Sequence, residues 1–184
     1  ETFVSRKITR AASRIVAGLQ KELTLGNLNS KRDWGYAPEY CEGMWRILQH
    51  KEADDFVLAT GTTKTVREFA ELTFKNLGIE LEWKDKGEDE KGVIKSINLE
   101  KAKKLISYSS KKKTFLNDFT IKLKKGDTLV AIDPVYYRPT EVDLLIGDPN
   151  KAKKVLGWKA KTKFEDLVKL MIKSDMEKVL KRGF

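Results

Sequence analysis

Cysteine, histidine and long apolar runs are almost absent from this chain. Its 184 residues include one cysteine, Cys41, and one histidine, His50. A single cysteine forms no internal disulfide, and both residue types are too sparse to build a zinc site, so we expect no metal. No stretch reaches the roughly 20 apolar residues of a membrane helix, and the segment ETFVSRK has no apolar signal-peptide run. We therefore expect a cytoplasmic protein without membrane contact.

Charge, by contrast, is abundant and unevenly placed. Charged residues make up 35% of the chain, hydrophobic residues make up 40%, and the formal net charge is +10. Between Lys101 and Lys125, nine lysines accompany one acid, Asp118, which gives a local balance of +8. A basic module that binds nucleic acid or an acidic partner is one alternative, but no nucleic-acid module signature is present. We interpret the run as part of a solvated, lysine-rich insertion at about residues 95–125.

The hydrophobic pattern predicts alternating helices and short strands. Apolar residues recur at helical spacing from residue 5 to about 20, which predicts an amphipathic helix with its basic side facing water. Residues 23–25 and 56–59 are short apolar runs typical of strands. Pro38 suits the first turn of a second helix. The apolar stripe of that helix is Tyr40, Cys41, Met44, Trp45 and Leu48, so we expect Cys41 to be a core residue rather than a nucleophile.

Three later helices are marked by capping residues. Thr65-Val66-Arg67-Glu68 is a capping box, and Gly78 ends the helix that follows it. Asp148-Pro149 opens another helix, which Gly157 ends. Thr162-Lys163-Phe164-Glu165 is a second capping box and opens the last helix.

Residues 84–130 do not follow this alternation of helices and short strands. The segment KDKGEDEKGVIKS is too polar to predict a core element, whereas LKKGDTLVAID predicts a turn and then an apolar strand of about five residues. We expect an excursion of loops and short strands that returns to the domain at Asp133-Pro134.

Three stretches combine cations with rings and are not explained by packing: ETFVSRK, GNLNSKRDWGYAPEY and YYRPTEVD. Arginine binds diphosphates through two parallel hydrogen bonds, so Arg32 and Arg138 are candidates to clamp one pyrophosphate. Glu141 and Asn27 could bind hydroxyl groups or a base N–H. The alternative is structural ion pairing, of Arg32 with Asp33 and of Arg138 with Glu141 or Asp143.

The same stretches, in the same order, resemble the second half of GDP-mannose 4,6-dehydratases. The segments that carry the resemblance are ETFVSRKITRA, LGNLNSKRDWGYAPEYCEGMW, FVLATGTTKTVREF, AIDPVYYRPTEVDLLIGDPNKAKKVLGW and FEDLVKLMIKSDME. The resemblance implies an α/β fold over residues 1–184, the C-terminal part of an extended short-chain dehydrogenase/reductase. That part comprises a Rossmann-like sheet edge and a small α/β substrate-binding domain.

The resemblance also implies a GDP-sugar site. Phe3, Val4 and Lys7 would lie along the guanine and its ribose, and Leu25, Gly26 and Asn27 would line the nucleotide. Arg32 and Arg138 would grip the diphosphate, Glu141 would bind ribose hydroxyls or a nearby donor, and Tyr136 would help to wall the pocket.

No catalytic or cofactor-binding residue is assigned to this chain. The one Tyr-x-x-x-Lys match, Tyr108 with Lys112, lies in the serine- and lysine-rich excursion and is interpreted as chance. In the family, the NADP-binding Rossmann core and the catalytic pair lie upstream of ETFV, so we expect this chain alone to be inactive.

For the intact enzyme, the resemblance implies a lyase that converts GDP-mannose to GDP-4-keto-6-deoxymannose and water, on the route to GDP-fucose. Hydride moves from C4 of the hexose to NADP+, the C5 proton and the C6 hydroxide leave, and hydride returns to C6. A GDP-manno-heptose 4,6-dehydratase is an alternative, because the grip on the nucleotide would be the same. The family also implies a homo-oligomer, a dimer or tetramer, at full length.

Overall fold

The computed structural model describes residues 3–98, 100, 101, 104, 122–136, 142 and 144–182, with the side chain of Arg182 left out. Its helices are α1 (Val4–Val16), α2 (Ala37–Gln49), α3 (Val66–Asn76), α4 (Asn150–Leu156) and α5 (Phe164–Arg182). Its strands are β1 (Leu23–Leu25), β2 (Lys31–Asp33), β3 (Thr63–Thr65), β4 (Ile79–Lys84), β5 (Lys91–Ile97) and β6 (Thr128–Ile132). None of the described helices is both long and apolar enough to cross a membrane.

Four of the strands form a mixed sheet in the order β1-β6-β5-β4. The β1–β6 pair is parallel, with Leu25 opposite Ile132, and the other two pairs are antiparallel. Strands β2 and β3 form a separate antiparallel pair. Because β1 and β6 run in the same direction, the chain leaves both strands at one edge of the sheet, and the segments that follow them meet there.

The core lies between the four-stranded sheet and helices α1, α3 and α5. Every one of the following side chains is at most 2% exposed: Ile8, Ile15, Leu23, Leu25, Phe69, Phe74, Leu77, Ile79, Ile94, Val130, Val168, Ile172 and Met176. A buried polar contact also joins α1 to α5: Asp175, 1% exposed, accepts a hydrogen bond of 2.7 Å from Thr9 and pairs with Arg6 at 2.8 Å. The predicted helix near residues 5–20 is therefore confirmed, although it ends at Val16.

Helix α3 begins at the predicted capping box. The Thr65 hydroxyl accepts from the Glu68 N–H at 3.0 Å, and the Glu68 carboxylate accepts from the Thr65 N–H at 2.7 Å. Although partial burial opposes the charge, the Thr65 N–H and the Lys64 side chain hold the pKa of Glu68 below its usual value. Gly78 ends this helix with a left-handed φ of 82°, a conformation that glycine adopts without steric cost.

The last two helices begin near their predicted positions. Asp148 accepts a hydrogen bond of 2.9 Å from the Asn150 N–H at the start of α4, and Gly157, with φ of 63°, ends that helix. At the start of α5, the Thr162 hydroxyl donates to Glu39 of α2 at 2.8 Å. This contact links the beginning of α5 to the first turn of α2.

Helix α2 forms as predicted, but the prediction that its apolar stripe is buried is wrong. Met44, Trp45 and Leu48 are 56, 61 and 79% exposed, and Cys41 is exposed as well. The reason is that α2 packs through its small residue: a Cβ at Gly43 would lie 2.6 Å from Leu58 and 3.0 Å from Trp158. Met44, Trp45 and Leu48 therefore lie away from this contact, whereas Tyr40 packs edge-on against Trp158, with ring centroids 5.5 Å apart.

Two strand predictions are also wrong. Residues 56–59 form no strand, and Val57 is 53% exposed; the run packs against Gly147 and Gly43 instead of pairing with another strand. Conversely, KDKGEDEKGVIKS contains part of β4 and most of β5, an interior strand of the sheet in which Ile94 is fully buried. The five-residue strand β6 is confirmed.

Candidate functional site

A cavity of about 800 Å³ lies beside α1, where the chain leaves β1 and β6. It brings together eight of the ten residues predicted to bind a nucleotide sugar: Phe3, Val4, Lys7, Leu25, Gly26, Asn27, Arg32 and Tyr136. The other two, Arg138 and Glu141, lie outside the described residues, as do Tyr137, Asp143, Tyr108 and Lys112.

Helix α1 forms one wall of the cavity because its two faces differ. Ile8, Ala12 and Ile15 are buried in the core, whereas Lys7, Arg10 and Arg14 line the cavity at helical spacing. Each of these three cations is half-buried. The sequence predicted that this basic side faces water; it faces the cavity, where it concentrates positive charge.

The opposite wall depends on a close approach between Gly26 and Tyr136. The Asp133 N–H donates to the Leu25 carbonyl at 2.9 Å, which brings the short 3₁₀ turn Pro134–Tyr136 against the end of β1. A Cβ at Gly26 would lie only 2.3 Å from the Tyr136 carbonyl oxygen. Only glycine allows the two backbone segments to lie so close together.

Lys7 connects these two walls. Its Nζ lies 3.3 Å from the centroid of the Tyr136 ring, which is a close cation–π contact. The ring is 47% exposed, and Phe3 at the mouth of the cavity is 76% exposed. The mouth thus offers two accessible aromatic rings beside a positive charge, an arrangement suited to a flat base.

The loop after β1 presents polar groups to the same cavity. The Asn27 Oδ1 atom accepts from the Asn29 N–H at 2.9 Å, so the side-chain oxygen of Asn27 already has a partner within its own turn. The Ser30 residue is 2% exposed and lines the cavity, and its Oγ has no hydrogen-bond partner among the described residues. The Ser30 hydroxyl is therefore enclosed within the cavity wall rather than exposed at its surface.

Arg32 reaches from β2 to the segment that contains the remaining predicted residues. One of its terminal nitrogens donates to the carbonyls of Lys31 at 2.8 Å and Val142 at 2.6 Å. The neighbouring Asp33 holds a different part of the molecule, because its two carboxylate oxygens accept from the Thr60 and Gly61 N–H groups, each at 2.9 Å. Asp33 therefore has a structural role in fixing the turn that precedes β3.

Sequence reasoning missed several residues that line this cavity. They are Arg10, Ala11, Arg14, Gln20, Leu23, Thr24, Ser30, Val66 and Val135. The spacing of Lys7, Arg10 and Arg14 by three and four residues was a signal for the two arginines, since such positions share one helix face. No comparable signal existed for Val66, which the fold brings from α3.

The described lining of the cavity consists of cationic, polar and apolar side chains. It supplies cations, two amides, three hydroxyls and two aromatic rings, and it includes no carboxylate or histidine. Among the described residues, no three His, Cys, Asp or Glu side chains are grouped to hold a metal.

The model of the family described as GDP-mannose 4,6 dehydratase matches residues 1–171. The chain belongs to this family. It is 45% identical to GDP-mannose 4,6-dehydratase of Vibrio cholerae serotype O1 over 177 residues, which cover 96% of this chain and 43% of the relative. It is 45% identical to the Dictyostelium discoideum protein, of which it covers 42%. It is 40% identical to the human protein, of which it covers 40%. These three relatives are thus more than twice as long as this chain, which matches their C-terminal portion.

Two solved structures confirm the predicted fold class. The structure of RMD from Pseudomonas aeruginosa complexed with NADPH aligns over 96% of this chain and 43% of its own, with a TM-score of 0.58. UDP-glucose 4-epimerase from Bifidobacterium longum in complex with NAD+ and UDP aligns over 96% of this chain and 40% of its own, with a TM-score of 0.51. Both are 17% identical in sequence, so the likeness shows the fold alone.

Proposed function

We propose that this chain supplies the nucleotide-sugar site of a GDP-mannose 4,6-dehydratase, a lyase. The observation that carries the proposal is that one cavity is lined by eight residues that the family resemblance had assigned to such a site. The relatives that support the substrate are named for action on GDP-mannose. The product would be GDP-4-keto-6-deoxymannose, a precursor for GDP-fucose formation.

The charges of the cavity suit a nucleoside diphosphate. Lys7 and Arg32 lie on different elements of the wall, with Arg10 and Arg14 along α1, and together they offset the negative charge of a diphosphate. In our assignment Arg32 and Arg138 bind the diphosphate. Arginine fits this role because its planar donors match two phosphate oxygens at once and its charge is permanent.

The remaining residues bind the nucleoside. Phe3, Val4 and Lys7 lie along the guanine and its ribose, and the Lys7 ammonium donates to the guanine carbonyl. Leu25, Gly26 and Asn27 line the nucleotide, with Tyr136 as a wall. Glu141 accepts from the ribose hydroxyls. These contacts position C4 and C5 of the sugar, which contributes to rate by fixing the reacting atoms.

The reaction also needs a nicotinamide cofactor, which we propose is NADP. When bound, it would supply the hydride-transfer chemistry that the oxidation at C4 and the reduction at C6 require. We assign none of the described residues to it and place its binding in the part of the relatives that this chain does not match. Oligomeric association of the full-length enzyme and a cytoplasmic location remain predictions.

Calorimetry with matched nucleotides tests the proposed substrate class. We expect this chain to bind GDP-mannose and GDP, and to bind UDP-glucose at least about tenfold more weakly, a difference of about 1.4 kcal/mol. Circular dichroism on the same sample verifies folding. Equal affinity for the guanine and uracil nucleotides, or no binding by the folded chain, would contradict the proposal.

An activity assay tests whether this chain supplies substrate-binding residues only. Because no catalytic residue is assigned to this chain, we expect no 4-keto product from GDP-mannose and NADP+, measured by mass spectrometry after overnight incubation. A full-length dehydratase such as the Vibrio cholerae relative serves as the positive control. Product formed by this chain alone would show that its own residues perform the chemistry.

A further inference from the structure

The loop of residues 27–30, which forms part of the cavity wall, is fastened to the first turn of α3. The backbone N–H of Arg67 donates to the Leu28 carbonyl at 2.9 Å, and the N–H of Val66 donates to the Ser30 carbonyl at 3.1 Å. The N–H groups of a first helical turn have no partner within the helix, so the loop satisfies two of them. The position of the loop is thereby coupled to α3.

The side chain of Arg67 adds a third attachment. Its Nη2 donates to Oδ1 of Asn29 at 3.1 Å and to Glu90 at 3.0 Å, while Nη1 donates to the other Glu90 oxygen at 2.5 Å. The guanidinium lies over the Trp83 ring, with 4.6 Å from Cζ to the centroid. The side chains of Arg67 and Glu90 are only 22 and 13% exposed. The loop is thus tied through one guanidinium to the β4–β5 hairpin.

This geometry requires arginine. A two-pronged contact with a carboxylate, a third bond to an amide oxygen and stacking on an indole all use the planar fork of the guanidinium. A lysine at the same position retains the charge but makes a single-point contact. Arg67→Lys therefore separates the loss of geometry from the loss of charge.

Asn29 links the Arg67 side chain to the loop residues that line the cavity. Its backbone N–H donates to the Asn27 side chain at 2.9 Å, and its own side chain accepts from Arg67. Asn27 and Ser30 line the cavity, and Arg32 follows two residues later. Asn29, Arg67 and Glu90 are not among the described residues that line it, so they can influence a ligand only through the loop.

We propose that Arg67 is a positioning residue for nucleotide binding. It holds the 27–30 loop in the position from which Asn27 and Arg32 contact the ligand. The inference rests on the proposed function. It assigns Arg67 no contact with the substrate.

GDP titration of Arg67→Lys, Asn29→Ala and the double variant tests this role. We expect each single variant to weaken GDP binding about tenfold, the effect of losing one hydrogen bond to a charged group. The GDP affinity of the double variant should be no lower than that of the single variant with the lower affinity, because both changes remove the same contact. Asn29 is exposed, so its variant is expected to fold even if Arg67→Lys does not.

Asn76→Ala is the matched control. It removes a side-chain hydrogen bond of 2.9 Å to the Leu72 carbonyl at the other end of the same helix, but it leaves the Arg67–Asn29 contact in place and should not change the GDP dissociation constant. If the wild-type chain binds GDP and both single variants bind it equally well, or if their effects add, the positioning role is refuted. If the folded wild-type chain does not bind GDP, the proposed function fails and this inference fails with it.

Discussion

Gly26→Ala should weaken GDP binding by at least about tenfold, or about 1.4 kcal/mol. The added Cβ would lie 2.3 Å from the Tyr136 carbonyl oxygen and 2.8 Å from its carbonyl carbon. These are backbone atoms and cannot rotate away, so the turn that carries Tyr136 must move. The movement separates the Tyr136 ring from Lys7, which lies 3.3 Å from its centroid, and alters the wall of the cavity. Calorimetry gives the change in dissociation constant.

Gly18→Ala is the matched control for this substitution. Gly18 has a left-handed φ of 70°, a Cβ there meets no atom within 4 Å, and the residue does not line the cavity. Alanine at this position should cost stability through backbone strain and leave GDP affinity unchanged. Wild-type affinity in Gly26→Ala would mean that the ligand does not use this wall.

Phe69→Ala is expected to lower the free energy of unfolding by about 3–5 kcal/mol, the usual cost of removing a buried aromatic ring. Phe69 is fully buried in α3, and its ring centroid lies 4.7 Å from that of Trp34 and 5.6 Å from that of Phe164. One ring thus joins the segment after β2 to α3 and to α5. Since domains are stable by about 5–15 kcal/mol, the variant should lose much of its stability, as measured by urea denaturation.

Trp45→Ala provides the contrast on α2. This ring is 61% exposed, so its removal should change the free energy of unfolding by no more than about 0.5 kcal/mol. A cost as large as that of Phe69→Ala would show that the apolar side of α2 is packed in solution, against a second copy of the chain or by rearrangement. Repeating the denaturation at two protein concentrations separates these explanations.

The elements that could be predicted from the sequence are those set by local interactions. The capping box of Thr65 and Glu68 joins residues three apart, and Gly78 ends the same helix by its own backbone conformation. The apolar spacing of α1 likewise needs no distant partner to be recognised. For these elements, the residues that cause the structure are adjacent in the sequence.

The failures arose where a distant partner decides the outcome. The β5 strand contains two lysines, Lys91 and Lys95, and follows a highly charged segment, yet it lies between β4 and β6 and therefore pairs on both edges. Residues 56–59 look like a buried strand but pack on Gly43 and Gly147. Which face of α2 is buried depends on Leu58 and Trp158, which are 15 and 115 residues beyond Gly43, and no local pattern reveals this contact.

The residues that line the cavity also divide into those that the sequence reveals and those that only the fold reveals. Arg32 and Asn27 were identified as candidates from their own chemistry, and Lys7 was identified from the resemblance to a known family. Arg10 and Arg14 could have been found from their helical spacing to Lys7, since a basic helix face next to a predicted anion site is suggestive. Ser30 is identified only by its burial, and Val66 only by the docking of α3 on the 27–30 loop.

A crystal structure of this chain with GDP-mannose would test the central claim most directly. The account predicts nucleotide density in the cavity beside α1, with the guanine next to Lys7 and the diphosphate within hydrogen-bond distance of Arg32. Nucleotide density at another surface, or an empty cavity in crystals grown at a saturating nucleotide concentration, would contradict it.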